Sequence, residues 1–347
     1  MKKIFLLSLI AILAVFTAAC GNNNTTSNES ENLDALTVYT TVYPLTYFTE
    51  RIGGDKVAVK SIYPAGSNEH TFDPTQKDMM ALADADLFFY IGLGLEGFVD
   101  NAKKTLANED VSMIATADAL SDEELAVSEV SEEDHADEEE NSEDTHSDDE
   151  ESTEEDEHAN EEESHDDHEH GELDPHLWIS PQISVNLATS IKDSLIKKDP
   201  SNKETYTKNF DVLVNDLTQL DADFKEMADA SSNKTFFVSH AAFGYLAGTY
   251  GLEQVAVAGL NSQDEPSQKE LTELVKLAKS MNIKTILFEQ NVSSKLTKVI
   301  QNEIGADALT MHNLGVLTPQ DVDNNEDYFT LMEQNLETLT KALNSSK

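Results

Sequence analysis

The chain has 347 residues, of which 67 are Asp or Glu and 23 are Lys or Arg, so its formal net charge is −44. This length fits two domains of ordinary size, or one domain with insertions. Such a strong negative charge excludes nucleic acid as a partner and favours cations. Cys20 is the single cysteine, which excludes an intramolecular disulfide.

The first twenty residues have the pattern of an exported protein. Two lysines precede an apolar run, Ile4–Phe16, and small residues lead from there to Cys20. This order is typical of a secretory signal, and the run is shorter than the ~20 apolar residues that span a bilayer. Cys20 and the polar stretch after it resemble a bacterial lipoprotein cleavage site, although Thr17 stands where Leu is usual. We therefore expect lipid attachment at Cys20 and a location at the cell membrane, on its extracytoplasmic face; a plain secretory signal is the alternative.

Residues 21–35 are polar and predict a flexible tether. From Leu36 onward, short apolar runs alternate with amphipathic stretches, a pattern that predicts buried strands and helices. The predicted strands are Leu36–Thr41, Val57–Tyr63, Leu87–Ile91 and Ser112–Ala115, and the predicted helices are Leu45–Ile52, Thr75–Ala83 and Leu95–Leu106. This alternation implies a parallel sheet covered on both faces.

Residues 121–172 interrupt that pattern with a segment of low complexity. They hold 28 Asp or Glu, no Lys or Arg, and six of the ten histidines: His135, His146, His158, His165, His168 and His170. Such a segment cannot bury a core, so we expect it to be disordered. It either binds divalent ions weakly and raises their concentration near a tighter site, or is a solvated loop with no role in metal binding.

Two helical patterns follow, Ile183–Ile196 and the longer Tyr206–Met227, and strand–helix alternation then returns. The strands are predicted at Phe236–Ser239, Gln254–Ala258, Thr285–Phe288 and Ala308–His312, and the helices at Ala241–Tyr250, Ser267–Met281, Ser293–Glu303 and Tyr328–Leu343. The predicted fold class is α/β, with two lobes that each contain a parallel sheet flanked by helices. The lobes are predicted at 36–200 and 231–347, joined by one long rigid helix within 201–230.

Four histidines lie outside the acidic segment: His70, His176, His240 and His312. His70 and His240 follow predicted strands, at the carboxyl edge where open α/β sheets bind ligands. His176 lies just before the helix that begins near Pro181. Each histidine alone could be a hydrogen-bonded structural residue, but their shared placement allows three of them to meet at a cleft.

Four segments then carry a resemblance that covers the chain from Leu36 to its end. They are Gly66-Ser-Asn-Glu-His70-Thr-Phe-Asp-Pro74, Asp174-Pro-His-Leu-Trp-Ile-Ser-Pro181, Ser239-His-Ala-Ala-Phe-Gly-Tyr245 and Ala258-Gly-Leu-Asn-Ser-Gln-Asp-Glu-Pro266. With the His- and acid-rich insertion, they resemble the zinc-uptake branch of the solute-binding proteins that serve bacterial ABC importers. The resemblance implies that His70, His176 and His240 bind the transported Zn(II) between two lobes, and that the partner is an ABC permease. We expect a monomer.

Zinc suits this ligand set because imidazole nitrogen is a borderline donor, whereas Mn(II) prefers carboxylate oxygen. Glu69, Asp174 and Glu289 are candidates to accept a hydrogen bond from the histidines' second ring nitrogens. The alternatives are a manganese or iron protein of the same importer class, a zinc hydrolase, or a surface adhesin. No His-Glu-x-x-His or Gly-x-Ser-x-Gly motif supports a hydrolase.

The sequence departs from the family at the fourth ligand. An Asp or Glu is usual in the loop after the last strand, but an ungapped comparison puts Gly315 there. We therefore expect water to fill the fourth position, with Glu69 as the second choice and His312 as the third. An open position should weaken binding, so the sequence predicts that Gly315→Glu tightens it.

Overall fold

The computed structural model describes residues 35–131, 173–292 and 295–345. The first sheet contains β1 (Leu36–Thr40), β2 (Val57–Ser61), β3 (Leu87–Tyr90) and β4 (Ser112–Ala115), in the order β2-β1-β3-β4 and all parallel. All four residues of β3 are buried. A central parallel strand is apolar along its length because helices cover both faces of the sheet.

The helices of this half are α1 (Tyr43–Gly53), α2 (Gln76–Ala83) and α3 (Val99–Thr105), with the short α4 (Asp122–Leu125) after β4. A 3-10 turn, Leu177–Ile179, precedes α5 (Pro181–Lys198). Ser180 caps α5 by accepting from the Ile183 N–H, and Pro181 occupies its first position, where a missing N–H costs nothing. The capped start of α5 fixes the course of the chain between His176 and this helix.

The second sheet repeats the order of the first. It contains β5 (Thr235–His240), β6 (Glu253–Ala258), β7 (Thr285–Glu289) and β8 (Asp307–Met311), parallel in the order β6-β5-β7-β8. Its helices are α7 (Gly244–Tyr250), α8 (Gln268–Ser280), α9 (Lys295–Ile304), α10 (Pro319–Asn324) and α11 (Tyr328–Asn344). The predicted fold class, two parallel sheets flanked by helices, is therefore confirmed.

The long helix α6 (Lys203–Ala230) has 28 residues and lies between the two halves in sequence. Leu213, Leu217, Leu220 and Phe224 are buried at helical spacing along one face. Burial of each such side chain contributes about 1.5–3 kcal/mol relative to exposure. This face packs on α1 of the first half and on α11 of the second, so the helix has contacts with both halves.

The two halves also share a core, which sequence alone did not indicate. One continuous cluster of buried apolar side chains contains Phe88 of β3, Leu217 of α6, Val238 of β5 and Tyr328 of α11. The Tyr328 ring packs edge-on against Phe48 of α1, with centroids 4.9 Å apart. The final helix therefore binds the first half directly, in addition to the link through α6.

The expectation of disorder from residue 121 is wrong for residues 121–131. Ser121 and Glu124 form a reciprocal cap on α4, and a 3-10 segment, Ala126–Ser131, continues from it. Glu124 Oε1 accepts from Asn186 of α5 at 2.6 Å, and Leu125 O accepts from Tyr245 of α7 at 3.2 Å. Leu125 and Val127 supply apolar contacts, and these are enough to fix the segment despite its acidic composition.

The remaining expectations for the insertion, at 132–172, lie outside the described residues, as do the predicted signal, the lipid site Cys20 and nearly all of the predicted tether. Among the helices that the structure describes, none combines the length and the apolar character needed to cross a membrane.

Candidate metal centre

His240 is the last residue of β5, and a carboxylate from the neighbouring strand fixes its ring. Strand β7 pairs with β5 and ends at Glu289, which lies beside His240 for that reason. Glu289 Oε2 lies 2.7 Å from His240 Nδ1, and its Oε1 accepts from the Ser239 hydroxyl and the His240 N–H at 2.8 and 3.0 Å. Because a carboxylate accepts, Nδ1 carries the proton and Nε2 presents a lone pair.

His176 is fixed by Asp174 in the same manner. Asp174 Oδ1 accepts from the His176 N–H at 2.9 Å and lies 2.7 Å from its Nδ1. A Cβ on Gly244 would lie 2.6 Å from Asp174 Oδ2, so the glycine provides room for this carboxylate. His176 and His240 are both fully buried, and the bond at Nδ1 gives each ring one orientation, with its Nε2 turned away from the carboxylate.

His70 belongs to the loop between β2 and α2, and Asn68 shapes that loop. Asn68 Oδ1 accepts from the His70 N–H at 3.0 Å, while its Nδ2 donates to Ser262 of the second half, also at 3.0 Å. The loop that carries His70 is thus tied to the other half of the molecule. A small cavity of about 70 Å³ beside His70 is lined by Leu93 and Gly94 of the first half and by Leu260 of the second.

The three histidines face one another. One ligand nitrogen from each can be chosen so that all lie within 4.8 Å of one another. His70 Nε2 and His176 Nε2 are 3.3 Å apart, and the ring centroids are separated by 5.0–5.5 Å. His240 Nε2 is buried without a hydrogen-bond partner among the described residues. A buried lone pair without a partner is costly, and a cation between the rings would compensate it.

The pKa values of two of the rings are shifted in opposite directions. Burial, together with the neighbouring His176 and His240, lowers the pKa of His70 to about 3, so that ring is neutral at physiological pH. Burial alone would lower the pKa of His240 as well, but the charge and hydrogen bond of Glu289 raise it above 6.5. His70 could therefore bind a metal without releasing a proton, whereas a metal that bound His240 would displace a proton from it.

His312 does not join this group, and the alternative that made it a fourth ligand is wrong. Its Nε2 is bonded to Asp321 Oδ2 at 3.0 Å, and its Nδ1 accepts from the Leu314 N–H at 2.8 Å. Both ring nitrogens are therefore engaged. The position of His312 at a strand end matched that of His240, but its partner Asp321 belongs to α10, a helix that the sequence analysis missed.

Gly315 lies against Glu69 rather than at an open ligand position. A Cβ on Gly315 would lie 2.6 Å from Glu69 Oε1 and 2.8 Å from its Cδ. The tightening expected from Gly315→Glu stays a prediction, and Glu69 already occupies the space that the new side chain would enter. Glu69 is nearly buried, at 4% exposure, and contributes to the raised pKa of His240, although it is outside the group of three ligand nitrogens.

Asp174 and Glu289 accept from ring nitrogens of His176 and His240, as expected of two of the three candidate carboxylates, whereas Glu69 does not orient a histidine ring. Asn313 is the residue near the site that the sequence analysis missed. It donates to Glu69 Oε1 at 3.0 Å. An asparagine in a loop is usually a turn former, and nothing in the sequence brings it next to a residue 244 positions away.

Comparison with known proteins agrees with this architecture. One family model matches residues 38–342 of the chain, and its description is zinc-uptake complex component A, periplasmic (ZnuA). The high-affinity zinc uptake system protein ZnuA of Bacillus subtilis is 35% identical over 342 residues, which cover 99% of this chain and 98% of that protein. Zinc-binding lipoprotein AdcA of Streptococcus pneumoniae is 34% identical over 340 residues, but the chain spans only 60% of its length.

A solved structure shares the fold. The crystal structure of the Zn(II)-bound ZnuA-like domain of Streptococcus pneumoniae AdcA has a TM-score of 0.66 and 30% identity, and the match covers 89% of this chain and 99% of that domain. The family match spans most of the chain, and the Bacillus relative is matched over nearly its whole length. The chain therefore belongs to the zinc-uptake complex component A, periplasmic (ZnuA), family of solute-binding proteins.

Proposed function

We propose that this protein captures Zn(II) through Nε2 of His70, His176 and His240 and delivers it to the permease of an ABC importer. The observation that carries the proposal is the buried Nε2 of His240, which has no hydrogen-bond partner among the described residues and faces two more imidazoles. Family membership makes the protein a solute-binding protein and not an enzyme, which leaves the zinc hydrolase without support.

The chemistry of the donor set favours zinc over manganese or iron. Three imidazole nitrogens match the borderline character of Zn(II), whereas Mn(II) and Ca(II) prefer oxygen ligands. Zinc accepts a tetrahedral site with nitrogen ligands at about 2.0–2.1 Å. The carboxylates of Asp174 and Glu289 increase the basicity of the rings that they orient. Water or Glu69 then completes the four-coordinate site.

The binding site lies between the carboxyl edges of two sheets, which suits capture and release. We propose that residues 36–200 and 231–347 form the two lobes on either side of the ion, and that 201–230 links them. The closing contact between Asn68 and Ser262 supports this arrangement. Lipid attachment at Cys20, a location on the extracytoplasmic face of the cell membrane and a monomeric state complete the proposal.

Elemental analysis of protein purified without added metal tests the choice of ion. We expect about one zinc per chain, and no zinc when the three histidines are replaced by alanine together. One manganese or iron per chain would contradict the proposal.

Growth under zinc starvation tests the role in transport. Deletion of the gene should slow this growth, and a variant lacking the three histidines should not restore it. Restoration of growth by that variant would favour the adhesin hypothesis.

A further inference from the structure

An open groove lies between β6, at one edge of the second sheet, and helix α8. Its volume is about 760 Å³, and it is lined on one side by residues 254–258 of β6 and on the other by Leu274 and Leu277 of α8. Both leucines are half-buried, and Ala278 is the one buried residue of this 13-residue helix. The groove therefore contains apolar surface that the described residues leave uncovered.

Strand β6 presents backbone groups along its outer edge. The strand order β6-β5-β7-β8 leaves β6 with a neighbouring strand on one side only. The Glu253 N–H donates toward β5, to the Lys234 oxygen at 2.9 Å. Because the backbone groups of successive strand residues point to alternate sides, those of Ala256 and Ala258 point away from β5, where no backbone group of the described residues bonds to them. An edge of this kind pairs readily with another extended chain.

The groove has an acidic rim, formed by Asp264, Glu265, Glu270 and Glu273. All four side chains are exposed, and no Lys or Arg lines the groove. Lys269 lies 3.8 Å from Glu273 and offsets part of this charge, but the rim stays negative overall. Charge complementarity therefore favours a cationic occupant.

The same charge disfavours occupants that come from this chain. Residues 132–172 contain no Lys or Arg, and a second copy of the chain has a formal net charge of −44. The acidic rim would repel both. A basic segment of another protein fits the groove better.

We propose that an extended segment of a partner protein, carrying both apolar residues and lysine or arginine, binds in this groove as an additional strand beside β6. Its backbone bonds to Ala256 and Ala258. Its apolar side chains pack on Leu274 and Leu277, and its cationic side chains meet the acidic rim. The inference stands apart from the proposed function, because none of the three histidines lines the groove.

A synthetic peptide of about seven residues, in which Lys and Val alternate, tests strand addition to β6. Its binding to the full chain is measured by fluorescence anisotropy, and two further forms carry N-methyl groups on alternate residues, one form for each edge of the peptide. We expect saturable binding that falls by about tenfold or more in the form that loses its bonds to β6, and by less than about twofold in the other. Equal loss in both forms, equal binding of a peptide with Glu in place of Lys, or no binding would overturn the proposal.

Leu274→Lys tests the groove from the side of the protein, because it places a like charge where the cationic segment should lie. Met80→Lys is the matched control, since Met80 is an apolar side chain of α2 that is 69% exposed and lies outside the groove. Both variants change the net charge equally, so attraction of the peptide to residues 132–172 acts on both alike. Leu274→Lys should weaken peptide binding by about tenfold or more, and Met80→Lys by less than about twofold. Equal affinity of the two variants would contradict the site.

A double variant, Glu265→Gln with Glu273→Gln, keeps the test open if Leu274→Lys does not fold, because both side chains are exposed. It should weaken peptide binding and reduce the dependence of that binding on salt. Glu333→Gln with Glu337→Gln on α11 is its control, since that pair changes the charge equally and lies outside the groove. The same loss of peptide binding in both double variants would overturn the role of the acidic rim.

Discussion

Two of the three histidine rings in the candidate metal centre owe their direction to a carboxylate on the far side of the ring. Asp174 and Glu289 each bond both the Nδ1 and the backbone N–H of their histidine. Such second contacts restrict ring rotation, so the lone pairs converge before an ion arrives. His70 has no such carboxylate partner among the described residues, and only its backbone is fixed, by Asn68.

Zinc binding below pH 7 should release a proton from His240 and none from His70. The pKa of His240 is raised above 6.5 by Glu289, so the ring is largely protonated at pH 6, and affinity falls as the pH falls below that pKa. The pKa of His70 is about 3, so its ring is already neutral at this pH. Titration calorimetry at pH 6, in buffers of different ionisation enthalpy, counts the protons that are released when zinc binds. Glu289→Gln removes the charge that raises the pKa and should reduce the count; an unchanged count would refute this assignment.

Gly315→Ala should weaken zinc binding, in contrast to the tightening that the sequence predicted for Gly315→Glu. The new methyl group would lie 2.6 Å from Glu69 Oε1 and would displace that carboxylate. Gly97→Ala is a matched control, because a Cβ at Gly97 meets no atom within 4 Å. Chelator competition should show a higher dissociation constant for Gly315→Ala alone. Equal affinity in both variants would show that the position of Glu69 does not matter.

At the scale of elements, the sequence located the regular structure well where apolar periodicity was strong. Every predicted strand overlaps an observed one. His70 and His240 were grouped with His176 because they follow predicted strands, because His176 precedes a helix start, and because the four segments resemble the family; the structure brings the three together. The prediction for α3 was too long at its start: Glu96 is buried and accepts from the Ile91 and Gly92 N–H groups instead of continuing a helix. Glu96 also accepts from the Thr41 hydroxyl, 55 positions away, at 2.8 Å, and no local pattern encodes that contact.

The segment 121–131 also could not be predicted from its own sequence pattern. Its composition indicated disorder, but its docking site is on α7, where two glycines allow close approach. A Cβ at Gly248 would lie 2.0 Å from the backbone oxygen of Val127. The decisive information therefore lies in residues more than a hundred positions away, and the acidic segment itself does not contain it.

Gly248→Ala should destabilise the protein despite improving the helix propensity of α7. The propensity gain is at most about 1 kcal/mol, whereas displacement of a backbone segment in a packed interface costs about 1–3 kcal/mol. Chemical denaturation should show a lower midpoint, and proteolysis within 121–131 should become faster. Gly97→Ala again serves as the control. A midpoint equal to or above that of the wild type would contradict the docked position of this segment.

At the scale of the whole molecule, Leu36–Lys347 is one compact unit, and one core cluster extends through both halves. Tyr47 of α1 stacks on Tyr328 of α11 with ring centroids 6.1 Å apart, and Arg51 of α1 bonds Asp216 of α6 at 2.6 Å. The link between the halves therefore does not depend on the long helix alone.

The two halves should unfold together. Tyr328→Ala removes a fully buried aromatic ring at their junction, and substitutions of this kind cost about 3–5 kcal/mol. Differential scanning calorimetry should show one transition for the metal-free wild type and one transition, at lower temperature, for the variant. Two separate transitions in the wild type would show that the halves are independent.

The most direct test of the account is the effect of zinc on the melting temperature of the three histidine variants. Zinc that binds only the folded state stabilises it by about 4 kcal/mol at a thousandfold excess over Kd. Alanine at His70, His176 or His240 should each remove most of the zinc-induced rise, whereas His312→Ala, which alters a buried histidine with both nitrogens engaged, should retain it. An undiminished rise in all three variants would contradict the assignment of the zinc site.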